Sequence, residues 1–190
     1  MEAFLVSAGI VALAEIGDKT QLLSLVLAAR FKRPWPIILG IFVATIVNHA
    51  LAGAVGAWLL HWMGPQVLRW VLGASFIAMA VWILIPDKLD DDESAPHTRH
   101  GVFLTTIIAF FLAEMGDKTQ IATVALAARF PAYTAVVAGT TVGMMLANAP
   151  VVLFGDRVAR LVPVRVVHIV CAVIFAAIGV VTLLSDFKLA

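Results

Sequence analysis

Apolar residues fill this chain in six long stretches, broken by short polar intervals. The stretches run over about Ala3–Ala29, Pro36–Leu60, Val67–Ile85, Val102–Ala128, Tyr133–Phe154 and Val164–Leu184. Each is near or above the ~20 residues that a helix needs to cross a bilayer. Continuous apolar character all round predicts helices that face lipid or one another rather than water. The expected fold is all-α: a polytopic membrane protein with six transmembrane helices. They use almost all of the 190 residues, which leaves no room for a soluble domain.

The pattern repeats. Glu15-Ile-Gly-Asp18-Lys19-Thr-Gln21 returns 99 positions later as Glu114-Met-Gly-Asp117-Lys118-Thr-Gln120. Leu27-Ala-Ala-Arg-Phe31 returns as Leu126-Ala-Ala-Arg-Phe130, and Gly40, His49 and Gly56 align with Gly139, Asn148 and Gly155. The chain therefore divides into repeat one (1–86), an acidic linker (87–100) and repeat two (101–190), with three spans in each repeat. Three is odd, so the second repeat enters the membrane from the opposite side. That is a 3+3 inverted repeat, an architecture of secondary transporters with the site at the repeat interface.

Charge then sets the orientation. The loops after spans one, three and five carry eight Lys and Arg residues, and the opposite side carries Arg69, Arg129 and Lys188. The positive-inside rule places the linker in the cytoplasm and both termini outside. Trp35, Trp58, Trp62 and Trp70 fall near span ends, as interfacial anchors do. The linker, with Asp87, Asp90, Asp91, Asp92, Glu93, His97 and His100, reads as a solvated connector. His61 and His168 fall near span ends and read as interfacial. Asp156 and Asp186 read as boundary charges.

Composition supports the class: 62% of residues are hydrophobic and 13% charged, with mean hydropathy +1.02. A soluble domain carries about twice that charge. The net charge of +1 gives no reason to expect a nucleic-acid partner. Cys171 is the single cysteine; it reads as a small core residue. The N-terminal run has Ala12-Leu13-Ala14, but no basic region precedes it, so it reads as a retained span rather than a signal peptide.

Six charged residues at bilayer depth are the chemically informative feature. Each costs roughly 3 kcal/mol at a helix centre. Isosteric apolar residues often serve stability as well as a buried ion pair does, so a purely structural network is a poor reason to keep all six. On a continuous helix, residues three apart lie about 60° from each other. Glu15, Asp18, Gln21 and Ser24 then form a slanting polar stripe, and Glu114, Asp117, Gln120 and Thr123 form its partner. Gly17 and Gly116 allow close helix approach or local unwinding. The acids and amides make an oxygen ligand set suited to hard divalent cations such as Mn²⁺, Ca²⁺ and Mg²⁺. Four acids and two lysines sum to −2, the charge that one divalent ion or two protons neutralises. Lys19 and Lys118 follow Glu15 and Glu114 by four, the favourable order for an intrahelical pair, and are expected to balance charge in the empty site. Asn48, His49 and Asn148 are candidates for an outer shell of hydrogen bonds. Gly139 and Gly143, like Gly53 and Ala57, have the spacing of close helix packing. Pro150 is a candidate kink.

With these residues the chain resembles a known family: the manganese exporters of bacteria and the manganese/calcium–proton exchangers of the Golgi and chloroplast. They share a duplicated Glu-x-Gly-Asp-(Lys/Arg)-(Thr/Ser) motif, matched here at 15–20 and 114–119. The resemblance implies export of a divalent cation, Mn²⁺ first and Ca²⁺ as the alternative, in exchange for protons. It implies Glu15, Asp18, Glu114 and Asp117 as the transport acids, with the metal as substrate and no permanently bound cofactor. Eukaryotic relatives carry N-terminal targeting extensions, so the resemblance implies a bacterial inner-membrane member. An intramembrane aspartyl protease would also bring acids together on neighbouring helices. That chemistry wants two acids sharing one proton, not four acids beside two lysines.

Overall fold

A computed structural model describes residues 1–85, 101–155 and 163–184. Among these the chain forms eight helices and no strand: α1 (Glu2–Glu15), α2 (Lys19–Phe31), α3 (Pro34–Trp62), α4 (Pro65–Trp82), α5 (Gly101–Glu114), α6 (Lys118–Arg129), α7 (Tyr133–Phe154) and α8 (Val164–Leu184). The expectations for the 87–100 linker, Asp156 and Asp186 concern positions outside the described residues.

Local chemistry accounts for the long helices. α3 and α4 each open with proline in the first turn, where the missing N–H has no partner to lose. α3 runs for 29 residues, about 44 Å at 1.5 Å per residue. Among the described residues, α3, α7 and α8 are each long and apolar enough to cross a membrane unaided. Trp35, Trp58, Trp62 and Trp70 are exposed near helix ends, and Leu39, Phe42, Leu51 and Val55 point outward along α3.

The motif segments differ from the sequence expectation. Neither forms one continuous helix. α1 ends at Glu15 and α2 resumes at Lys19; α5 ends at Glu114 and α6 resumes at Lys118. The cause is the glycine in each motif. Gly17 and Gly116 sit at φ +81° and +76°, the left-handed region that glycine enters without a Cβ clash. The polar stripe is therefore cut in two, and each motif lies across a junction between half-helices.

The repeats interlock. α1 lies along α7, α3 packs on α5 and α6, and α4 lies along α8. The contacts are reciprocal: Gly40 of α3 lies against Phe103 O and Thr106 of α5, and Gly139 of α7 lies against Phe4 O and Ser7 of α1. A methyl group added at Gly139 would stand 2.4 Å from Phe4 O, so only glycine permits this approach. Gly143 meets Ala8 O in the same way.

Two apolar clusters flank the junctions. One joins α1, α4, α6 and α8 through Ile10, Leu72, Leu126 and Phe175, with Phe76 and Phe175 stacked at 6.1 Å between centroids. Cys171 is buried within it. The other joins α2, α3 and α5 through Leu23, Leu27, Ile37, Ile41 and Phe110.

Candidate metal centre

The break decides where each acid stands. Glu15 and Glu114 are the last residues of α1 and α5. Asp18 and Asp117 are the N-caps of α2 and α6, both extended at φ −80° and −79°. An N-cap aspartate commonly bonds the first free N–H groups of its helix. Neither makes a side-chain capping bond here, and an Asp117 carboxylate oxygen stands with those of Glu15 and Glu114. The positive ends of two half-helices face the same place, which suits a cluster of acids.

All four acids are buried, with exposures of 0% to 4%. Glu15, Glu114 and Asp117 each bring one carboxylate oxygen within 4.8 Å of the other two. Asp18 joins them through Asp117, whose side chain is within hydrogen-bonding reach of it.

The break takes the lysines out of the continuous i, i+4 register that the sequence expectation assumes. Lys118 Nζ lies 3.7 Å from Asp18 Oδ1 in the other repeat and donates to Ile85 O at 3.0 Å. The Lys19 charge acts on Asp117.

Around the acids, Asn148 Nδ2 donates to Glu15 Oε1 at 3.2 Å and Ser24 Oγ donates to Asn148 Oδ1 at 2.7 Å. Across the repeat, His49 Nε2 lies 3.6 Å from Glu114 Oε1, and Thr119 Oγ1 donates to that same oxygen. Asn48 Nδ2 donates to Phe111 O, one turn before Glu114. Thr123 is buried, with its hydroxyl donating back to Thr119 O. The glutamines hold the breaks: Gly17 N donates to Gln21 Oε1 at 2.9 Å, and Gly116 N donates to Gln120 Oε1 at 2.7 Å. Gln21 Nε2 also donates to Ala147 O.

One contact was missed in the sequence. His168, read there as interfacial, is buried, with its Nε2 2.7 Å from Ile16 O, a carbonyl freed by the first break. The signal was periodicity: His168 shares the buried face of α8 with Cys171, Ala172 and Phe175. His61, by contrast, is exposed at the end of α3.

Glu114 Oε2 and Asp117 Oδ2 are buried with no hydrogen-bond partner among the described residues. A buried carboxylate oxygen left in that condition costs several kcal/mol. A cation between the acids would supply the partner. Buried acids at half-helix ends, inside an all-helical apolar fold, define an ion-handling membrane transporter.

The comparisons with known proteins give the particular family. The chain belongs to the GDT1 family of divalent cation/proton antiporters, whose model matches residues 3–91 and 102–190. It is 51% identical over 183 residues to a protein of Vibrio cholerae serotype O1 named "Putative manganese exporter", covering 96% of this chain and 90% of that one. It is 25% identical to the GDT1-like protein sll0615 of Synechocystis, over 96% of this chain and 97% of that one. It is 26% identical to GDT1-like protein 5 of Arabidopsis thaliana, over 97% and 96%. No solved structure matches. The family is one of transporters, not enzymes.

Proposed function

We propose that this chain exports Mn²⁺ across a bacterial inner membrane in exchange for protons, with Glu15, Asp18, Glu114 and Asp117 carrying both. The observation that carries this reading is the convergence of Glu15, Glu114 and Asp117 oxygens within 4.8 Å. The name of the Vibrio cholerae relative supports manganese, and Ca²⁺ is the alternative cargo. In this reading α1–α2 and α5–α6 are each one broken span, and α3, α4, α7 and α8 complete a 3+3 inverted repeat in lipid. The excess of basic residues after spans one, three and five puts the linker in the cytoplasm and both termini outside.

Energetics favour exchange over conduction. Moving a divalent ion outward against a negative interior costs about 4.6 kcal/mol per 100 mV. Protons moving inward can supply that work. The site has a net charge of −2 when all acids are ionised and both lysines are charged, so one M²⁺ or two H⁺ neutralise it equally. Burial favours the protonated acid and a bound cation favours the ionised one, so metal and proton compete for the same oxygens.

Purified protein in proteoliposomes tests this reading. An imposed pH gradient should drive Mn²⁺ movement, and added Mn²⁺ should move protons the other way. Mn²⁺ flux that ignores the pH gradient at clamped voltage, without proton counterflow, would make the protein a uniporter.

A further inference from the structure

The two repeats are unequal at one pair of equivalent positions. In repeat two, Asn148 is fully engaged: it accepts from Ser24 and donates to Glu15 Oε1 and Met144 O. Its counterpart in repeat one, His49, is 0% exposed, and neither of its ring nitrogens has a hydrogen-bond partner among the described residues. A neutral imidazole carries one donor and one acceptor, and burying both unmet is costly. The ring stands beside one of the acids, with Nε2 3.6 Å from Glu114 Oε1.

We infer that His49 is a nitrogen ligand of the transported ion, and that it tilts the site toward first-row divalent metals and away from Ca²⁺ and Mg²⁺. The inference rests on reading the four acids as the transport site. The distance between Nε2 and Oε1 is too long for a hydrogen bond. Two donors bound to one ion at ~2.1 Å each stand about 3.0 Å apart at right angles and about 4.2 Å apart in opposition. The observed 3.6 Å falls between these limits. Ca²⁺ and Mg²⁺ take oxygen ligands, whereas a ring nitrogen favours the transition series. A neutral ring also leaves the −2 balance of acids and lysines unchanged.

Pulsed electron paramagnetic resonance of Mn²⁺ on the purified, full-length protein tests the inference directly. Directly bound imidazole nitrogen should modulate the echo of wild-type protein loaded with Mn²⁺. The modulation should vanish in His49→Gln and in His49→Asn, the latter copying the residue of the other repeat. The Ca²⁺ concentration that displaces half of the Mn²⁺ should fall about tenfold in both variants. Bound Mn²⁺ without nitrogen modulation in the wild type would overturn the inference while leaving the carboxylate site intact. Modulation that persists in both variants would do the same. Failure of the wild type to bind Mn²⁺, with Asp117→Asn indistinguishable from it, would overturn the site reading and this inference together.

Discussion

Lys118 of the second motif is the counter-ion of Asp18 in the first, its Nζ 3.7 Å from Asp18 Oδ1 with both side chains 2% exposed. The pair therefore couples a charge of one repeat to a charge of the other. Removing one partner of a buried pair strands the other charge, whereas removing both does not.

Lys118→Met should destabilise the purified protein by about 3–5 kcal/mol. Asp18→Asn combined with Lys118→Met should recover a large part of that loss. Denaturation in detergent compares the two, and a double variant no more stable than Lys118→Met would show that the contact carries no coupling energy.

The two breaks differ in their surroundings. A Cβ at Gly17 would stand 2.2 Å from Val164 Cγ1, while a Cβ at Gly116 would have no atom within 4 Å. Both backbones are left-handed, so alanine at either costs about 1–2 kcal/mol. Gly17→Ala should be the more damaging by thermal midpoint, and adding Val164→Ala should narrow the gap. Equal losses at both glycines would mean that the Val164 contact is slack.

The threonines of the two motifs should also part company. Thr119 donates to the Glu114 carboxylate, while the buried Thr20 hydroxyl has no hydrogen-bond partner among the described residues. Thr119→Val should cost about 1.5–3 kcal/mol, the range for a bond to a charged group. Thr20→Val should leave stability unchanged or raise it. Chemical denaturation of both variants reads the difference.

Transport should be less forgiving than stability. Asp18→Asn or Asp117→Asn removes a charged oxygen and should abolish metal efflux without removing the protein from the membrane. Manganese tolerance of cells expressing either variant at wild-type levels checks this, and full tolerance would take the aspartates out of the transport path.

The sequence carried the all-helical class plainly, and three of its apolar runs form helices long enough to cross a membrane. It also marked Glu15, Asp18, Glu114 and Asp117, because charge inside such runs is conspicuous. The break at Gly17 and Gly116 was visible only as one of two options, since a glycine signals close approach as readily as unwinding. With the break unplaced, the helical register around it was wrong, and the approach of Lys118 to Asp18 in the other repeat was not visible. The expectation for His168 failed differently. Its place near a span end outweighed its place on the apolar stripe of α8, and its partner, Ile16 O, is a backbone atom that no side-chain pattern reveals.

Asn148 and Glu15 are 133 residues apart, and that separation bears on how the protein is made. When the first span leaves the ribosome, Asn148, Lys118 and Asp117 do not yet exist. Glu15 and Asp18 then meet lipid or the translocon with none of their native neighbours, at about 3 kcal/mol for each charged group. The nascent first half is thus an unfinished insertion substrate. Its acids gain their partners from the second half only when α6 and α7 arrive.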